Sequence, residues 1–152
     1  MLKISQSDYD QIRSEAERSY PHECCGILLG SIEDGVRSVT LTISCSNTSN
    51  DAPERRYSID PKQVIAAMKL ARTRGENIVG FYHSHPDHPA QYSATDLAEA
   101  HWMDCSYLIS SVEKGKVAAT KAFVLHGSED NKRFEPEEIQ VHPPPAPDKI
   151  EI

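Results

Sequence analysis

The feature that most constrains this chain is an apolar run that ends in two histidines and a proline. Residues 78–82 (Ile-Val-Gly-Phe-Tyr) are typical of a buried β-strand, and His83 and His85 follow directly. Side chains two positions apart in a strand lie on the same face of the sheet, so both imidazoles are expected on one side. Pro86 has no backbone N–H to donate, which predicts the end of the strand. The sequence therefore predicts two neighbouring imidazoles at a strand end.

A carboxylate follows eleven residues after the second histidine. Asp96 stands in the run Ser-Ala-Thr-Asp, where Ser93 is a good helix N-cap and the acid falls in the first turn. Two imidazoles and a carboxylate are usual zinc ligands, and three protein ligands leave the fourth tetrahedral position to water, as in catalytic zinc sites. This set predicts a hydrolase, although each part alone has an ordinary structural explanation. His88 lies in the intervening loop and is the weaker candidate ligand, because most loop histidines are solvated.

Together with an upstream glutamate, these positions resemble the motif of the JAMM (MPN+) metallopeptidases. The chain is similar to the small prokaryotic members of that family. That motif is a glutamate followed by His-x-His-Pro-x6-Ser-x2-Asp, and no position here departs from it. The glutamate is Glu23, within the run Pro-His-Glu-Cys-Cys-Gly-Ile-Leu-Leu-Gly at residues 21–30. The likeness extends from about Leu2 to Val141.

The resemblance implies the fold. We expect one α/β domain over residues 1–142, a curved mixed β-sheet flanked by helices in a sandwich similar to cytidine deaminases. Residues 143–152 form a proline-rich tail, which cannot pair in a sheet.

The resemblance also implies the site residues. Zinc (Zn²⁺) would be held by His83, His85 and Asp96, and the bound metal would lower the pKa of its water. Glu23 would be the general base, whereas without the resemblance it reads as an exposed residue at a strand start. Ser93 would donate a hydrogen bond to the oxyanion, and the sequence does not rank this role against helix capping.

The substrate class comes only from the resemblance. JAMM peptidases cut the peptide or isopeptide bond after the diglycine tail of a ubiquitin-like protein. The segment between His85 and Ser93 is too short for the second insertion of the polyubiquitin-specific members, which favours a sulfur-carrier protein of the ThiS or MoaD type. The enzyme would trim residues past the diglycine or release an amino acid joined to it. Arg55 and Arg56, at the end of the polar loop 46–56, could meet an acidic carrier surface, although solvated loop arginines are the commoner case.

Composition excludes several classes. A net charge of −7 without a cluster of Lys or Arg argues against a nucleic-acid partner. No apolar run reaches the roughly 18 residues of a membrane span, and the N-terminus lacks a signal-peptide core. The four cysteines form no Cys-x-x-Cys pair, so we expect reduced thiols, with Cys24 and Cys25 packed as small hydrophobes, in a cytoplasmic protein. The oligomeric state stays open, a homodimer included.

Three alternatives were weighed. A zinc deaminase needs His-x-Glu and Pro-Cys-x-x-Cys, and neither occurs. A RadC-type protein would have asparagine between the histidines, where this chain has Ser84, and an upstream module for which there is no room. The rival from another class is a catalytically weak MPN-type scaffold domain that binds a ubiquitin-like protein.

Periodicity predicts three helices among the strands. Ser7 caps the first, which ends before Pro21. Pro61 opens the second, and Gly75 ends it. Their inward residues are predicted to be Tyr9, Ile12, Ala16 and Tyr20 in the first helix, Val64, Ile65, Met68 and Ala71 in the second, and Leu97, Ala98, His101 and Trp102 in a third helix after Ser93. Strands are predicted at 23–32, at 36–44 after a tight Asp34-Gly35 turn, near 106–112 and 117–125, and as a last pair near 131–135 and 138–142.

Overall fold

The computed structural model describes residues 1–49 and 56–144. Its elements are, in order, β1 (Leu2–Ser5), α1 (Gln6–Ser19), β2 (Cys25–Glu33), β3 (Val36–Cys45), α2 (Pro61–Thr73), β4 (Asn77–Pro86), α3 (Ala94–Glu99), β5 (Ser106–Glu113), β6 (Lys116–Ser128), β7 (Asn131–Glu137) and β8 (Ile139–His142). All eight strands join one mixed sheet in the order β7-β6-β5-β4-β2-β3-β1-β8.

Strand β4 lies at the centre of this sheet, antiparallel to β2 and parallel to β5. Strands β2 and β3 form the predicted hairpin, and both turn residues have positive φ, 51° at Asp34 and 76° at Gly35. A two-residue hairpin turn requires this conformation at both positions. Strand β2 of this hairpin pairs on its other side with β4, the strand that carries the two histidines.

Each face of the sheet carries a hydrophobic core. One face packs against α1 through Ile12 and Ala16, and the other packs against α2 through Ala67 and Ala71. The first six residues of β2 are all buried, because this strand lies under both cores. The α/β sandwich that the sequence predicts is confirmed.

The beginning of α1 differs from the prediction. Its N-cap is Ser5 rather than Ser7, and the Ser5 hydroxyl accepts a hydrogen bond from the Asp8 backbone N–H at 3.1 Å. The reason is that the unpredicted strand β1 runs directly into the helix. The start of α2 agrees with the sequence, with Asp60 as N-cap and Pro61 in the first turn.

The prediction of the residues that α2 turns towards the core was partly wrong. Ala67 and Ala71 are buried and Val64 packs against the same core, but Ile65 and Met68 are 51% and 48% exposed. The two alanines lie on one stripe of the helix, and their small side chains let it approach the sheet. That choice of stripe turns the two larger side chains towards solvent.

Two further expectations were wrong. Helix α3 ends at Glu99, so His101 and Trp102 lie beyond it. Strands β7 and β8 do not pair with each other: β7 pairs with β6 and β8 with β1, at opposite edges of the sheet.

All four cysteines are buried free thiols, as predicted. Within residues 1–49 and 56–144, no helix has the length and hydrophobicity needed to cross a membrane. Arg55 and most of the proline-rich tail fall outside the described residues.

Candidate metal centre

The two histidines lie where β4 passes between β2 and β5. His83 is paired in register with Cys25 of β2, and His85 with Ser111 of β5. Their side chains share one face, as the alternation predicts, and their Nε2 atoms are 3.2 Å apart. His83 is 2% exposed, so this pair sits at the edge of the core.

The third member comes from the start of α3. The Ser93 hydroxyl accepts a hydrogen bond from the Asp96 backbone N–H at 3.0 Å, and the Asp96 carboxylate accepts one from the Ser93 N–H at 2.8 Å. This reciprocal capping box fixes the carboxylate against the helix end. Asp96 Oδ2 lies 3.0 Å from His85 Nε2, and Oδ1 lies 3.4 Å from His83 Nε2.

The spacing of these three side chains fits a small cation. The two Nε2 atoms are 3.2 Å apart, and the carboxylate meets them with different oxygens, Oδ2 at 3.0 Å from His85 and Oδ1 at 3.4 Å from His83. Tetrahedral zinc with bonds of about 2.0–2.1 Å needs ligand atoms roughly 3.3–3.4 Å apart. We refer to His83, His85 and Asp96 as the ligand triangle.

Each histidine ring makes a contact outside the triangle that fixes its orientation. His85 Nδ1 lies 3.0 Å from the Pro89 carbonyl, which can only accept, so Nδ1 donates its hydrogen there. The ring of His83 stacks on Tyr57, with ring centres 4.4 Å apart, and its Nδ1 has no hydrogen-bond partner among the described residues. The Pro89 contact leaves the His85 Nε2 lone pair for the triangle, which is the tautomer that a metal ligand needs.

In the metal-free chain the two imidazoles differ in the protonation that they favour, and zinc would have to displace the proton that Asp96 favours on His85. Burial lowers the pKa of His83 and so favours the neutral imidazole. Burial also acts to lower the pKa of His85, but the contacts with Asp96 and Pro89 outweigh it and the net pKa is raised. Burial opposes ionisation of Asp96, yet hydrogen bonds from His83 and His85 hold its pKa well below the usual range. The carboxylate is therefore ionised at neutral pH.

Glu23 lies beside the triangle and is 3% exposed, which overturns the expectation of an exposed residue at a strand start. The backbone is fastened to β4 because the Cys24 N–H donates to the Ser84 hydroxyl at 2.8 Å and the Ser84 N–H donates to the Cys24 carbonyl at 3.2 Å. One carboxylate oxygen lies within 4.8 Å of a ring nitrogen of each histidine. Burial raises the pKa of Glu23 to about 8, and a nearby cation would favour its ionised form.

Two carboxylates thus compete for the third ligand position. The Asp96 oxygens lie 3.0 and 3.4 Å from the Nε2 atoms of His85 and His83, and one Glu23 oxygen lies within 4.8 Å of a ring nitrogen of each histidine. The described side chains whose donor atoms all meet within that distance are Glu23, His83 and His85, a set that contains neither Asp96 nor His88.

Two cavities border the site. The first, the proline cavity, has a volume of about 320 Å³ and is lined by Glu23, His85, Pro86, His88, Pro89, Gln91 and Ser93. The second, the aromatic cavity, has a volume of about 400 Å³, and its walls include Arg56, Tyr57, Ile59, Phe81, Trp102 and Tyr107. Tyr57 joins the two regions, because it lines the aromatic cavity and stacks on His83.

Sequence reasoning missed several supporting groups. Tyr57, the Pro89 carbonyl and Ser111 reach the site only through tertiary structure, and no local pattern singles them out. Ser84 had a usable signal, because alternation places its side chain on the opposite face of the sheet from the two histidines. Trp102, predicted to be core, is half-buried and lines the aromatic cavity.

Comparison with known proteins places this arrangement in a family. A family of prokaryotic homologs of the JAB domain matches residues 5–141. The chain belongs to this family. A desampylase from Haloferax volcanii is 34% identical over 122 residues, which cover 78% of this chain and 85% of the relative. A probable TtuB-protein conjugate cleaving protease from Thermus thermophilus is 29% identical over 102 residues, covering 67% and 65%.

Solved structures share the fold of this chain. The solution structure of a protein from Desulfitobacterium hafniense superposes with a TM-score of 0.79 at 30% identity, over 95% of this chain and 94% of the other. A JAB1/MPN domain protein from Archaeoglobus fulgidus has a TM-score of 0.56 at 19% identity, over 93% and 97% of the two chains. The curved mixed sheet with flanking helices is therefore the JAB/MPN fold.

Proposed function

We propose that this JAB-family chain is a zinc peptidase that hydrolyses the bond after the diglycine tail of a ubiquitin-like or sulfur-carrier protein. The observation that carries the proposal is the ligand triangle, with its 3.0–3.4 Å separations and Glu23 buried beside it. The names of the relatives support the substrate class, because a desampylase and a conjugate cleaving protease both act on protein conjugates.

The proposed chemistry assigns one task to each side chain. His83, His85 and Asp96 would hold zinc, which would supply a Lewis acid and lower the pKa of a water. Glu23, ionised beside a cation, takes a proton from the attacking water and delivers it to the leaving nitrogen. Its burial keeps bulk water from competing for that proton.

Ser93 can serve both as helix cap and as hydrogen-bond donor. In the cap its hydroxyl oxygen accepts the Asp96 N–H, so the hydroxyl hydrogen is not used there. Ser93 also lines the proline cavity beside Glu23. We assign it the oxyanion of the tetrahedral intermediate, where loss of one donor costs about 2.7–4 kcal/mol of barrier.

The two cavities suggest how a substrate lies across the site. Glu23 and Ser93 both line the proline cavity, and we therefore assign the leaving nitrogen to that side. The aromatic cavity, on the Tyr57 side of His83, then receives the carrier tail, with Arg56 at its wall. Glycine at the cleavage point lets an extended backbone approach buried side chains closely.

The test combines a metal assay with a cleavage assay. Metal content is measured on the purified chain, and cleavage is measured on a carrier that ends in Gly-Gly followed by a short extension. We expect one zinc per chain, rapid cleavage after Gly-Gly and slow cleavage of Gly-Ala and Ala-Gly carriers, with several extensions tolerated. Equal cleavage rates on the three carriers would refute a narrow channel that admits only glycine. Zinc and carrier binding without turnover would identify the scaffold domain instead.

A further inference from the structure

Part of the wall of the proline cavity is an irregular segment, residues 87–93, between β4 and α3. It begins with a left-handed residue, since Asp87 has φ of 55°. Its Asp87 N–H donates to the Val112 carbonyl at 2.6 Å, and its carboxylate accepts from the Lys114 N–H at 2.9 Å and from the Tyr20 hydroxyl at 2.6 Å. The start of the segment is therefore tied to the β5–β6 hairpin and to the end of α1.

The next two carbonyls of this segment are held by side chains on the sheet. The Ser111 hydroxyl donates to the His88 carbonyl at 2.6 Å, and His85 Nδ1 donates to the Pro89 carbonyl at 3.0 Å. Ser111 is 2% exposed and is the register partner of His85 on β5, so the two side chains share one face. Ser111 therefore holds the His88 carbonyl. The next carbonyl along the chain, that of Pro89, accepts the hydrogen of His85 Nδ1.

We propose that Ser111 is a positioning residue for the metal site. By fixing the His88 carbonyl, it keeps the following carbonyl on His85 Nδ1, and the ring then presents Nε2 to His83 and Asp96. Asp87 fixes only the beginning of the segment. The hydrogen bond from Ser111 therefore sets the position of the Pro89 carbonyl relative to His85 Nδ1. This inference rests on the proposed zinc site.

The neighbouring residue provides a matched control. Ser110 is also buried, 1% exposed, and its hydroxyl lies 3.0 Å from that of Thr120. Adjacent residues of a strand face opposite sides, so Ser110 points away from the ligand triangle. Ser110→Ala and Ser111→Ala each remove one buried hydroxyl with one hydrogen bond, and only the second touches the segment that holds His85.

The experiment measures zinc affinity by competition with a chelator, and the exchange of the His85 Nδ1 hydrogen with water in the metal-free protein. Losing a group that orients a ligand typically lowers metal affinity roughly 10- to 100-fold. Because Ser111 acts through one peptide, we expect about a tenfold weaker zinc affinity and faster Nδ1–H exchange in Ser111→Ala. Ser110→Ala should match the parent in both, while lowering the unfolding midpoint by a similar amount.

Ser111→Thr and Ser111→Val form a second pair of equal volume, which decides the matter if the alanine variant does not fold. Threonine should retain zinc affinity and valine should lose it. Equal zinc affinity and equal Nδ1–H exchange in Ser111→Ala and Ser110→Ala would overturn the inference. If the parent itself binds no zinc, the proposed function fails, and the Nδ1–H exchange still decides whether Ser111 holds the His85 ring.

Discussion

Two buried polar clusters lie near opposite ends of β5, and they differ in how their buried polar groups are paired. In one, Arg37 donates to the Ser106 hydroxyl at 2.7 Å and to the Glu137 carboxylate at 2.6 Å, and the side chains of this ion pair are 6% and 4% exposed. In the other, the ligand triangle brings two imidazoles and a carboxylate together. The first cluster pairs a cation with an anion, whereas the second gathers mainly acceptors.

The difference shows what marks a functional site in a buried position. Burial of charge is costly unless the charge is paired, and Arg37 with Glu137 meets that condition within the chain. Within residues 1–49 and 56–144, no lysine or arginine pairs with the triangle or with Glu23, so a bound dication would balance their charge. Buried polarity alone is ordinary, and a cluster of lone pairs aimed at one point is the informative observation.

The largest expected effect breaks the triangle. In His85→Ala two of the three proposed ligands remain, and we expect zinc content to fall to background while the circular dichroism spectrum stays close to that of the parent. Metal analysis after gel filtration measures this. Full zinc occupancy in this variant, or a cysteine in the coordination sphere, would contradict the assignment of the ligands.

The next prediction breaks the other cluster. Arg37→Met leaves the buried Glu137 carboxylate with the Met1 N-terminal ammonium, 3.3 Å away, as its remaining cation. Removing one partner of a buried pair costs about 3–5 kcal/mol, and we expect the low end of that range here. We expect this loss in the urea unfolding of the metal-free protein. Adding Glu137→Met should restore most of the stability. Zinc affinity of the folded variant should equal that of the parent, and a large drop would mean that the two clusters are coupled.

A third prediction separates chemistry from metal binding. Glu23→Gln keeps the shape of the side chain and removes the base, so turnover should fall by at least about 100-fold, or about 2.7 kcal/mol of barrier, with normal zinc content. Steady-state kinetics and metal analysis on the same preparation check it. Activity within tenfold of the parent would assign the proton transfer to another group, and zinc loss would make Glu23 a ligand.

The smallest effect concerns pH and the metal-free protein. The pKa of Glu23 is raised to about 8 by burial, so between its unfolded value near 4.5 and pH 8 the folded state holds a proton that the unfolded state releases. Stability from this group is therefore lost as the pH rises through that window, and Glu23→Gln does not share the loss. Since one pH unit is worth about 1.36 kcal/mol for one proton, we expect the variant to gain about 2.5 kcal/mol over the parent between pH 5 and pH 7, measured by urea unfolding with a chelator present. Parallel stability curves would show that Glu23 is ionised without a metal.

The sequence predicted the parts of the site that lie in local patterns. His83, His85 and Asp96 follow from strand alternation and helix capping, and the family motif adds Glu23. It could not predict Tyr57 or Ser111, because each reaches the triangle through contacts between distant segments. Zinc occupancy, turnover, the carrier substrate and the cytoplasmic location stay predictions.

The fold was predictable to a similar degree. The central hairpin, the histidine strand and the existence of three helices follow from turn chemistry and periodicity. Strand β1 has four residues, too few for alternation to stand out beside a strong helix. The face of α2 was missed because Ala67 and Ala71 pack more closely than Ile65 and Met68, a choice that depends on the opposing sheet.

The pairing of β1 with β8 has a consequence for biosynthesis. β1 has two register pairs with β3 but four with β8, and Leu2 pairs with Ile139. A nascent chain can form the β2–β3 hairpin early, yet β1 gains its second neighbour only after nearly the whole domain has left the ribosome. Such distant pairing slows folding, and until it forms, the outer N–H and C=O groups of β1 are open to strands of other chains. Truncation before Ile139 would make that exposure permanent, so shortened chains should aggregate although every residue of the metal centre is still present.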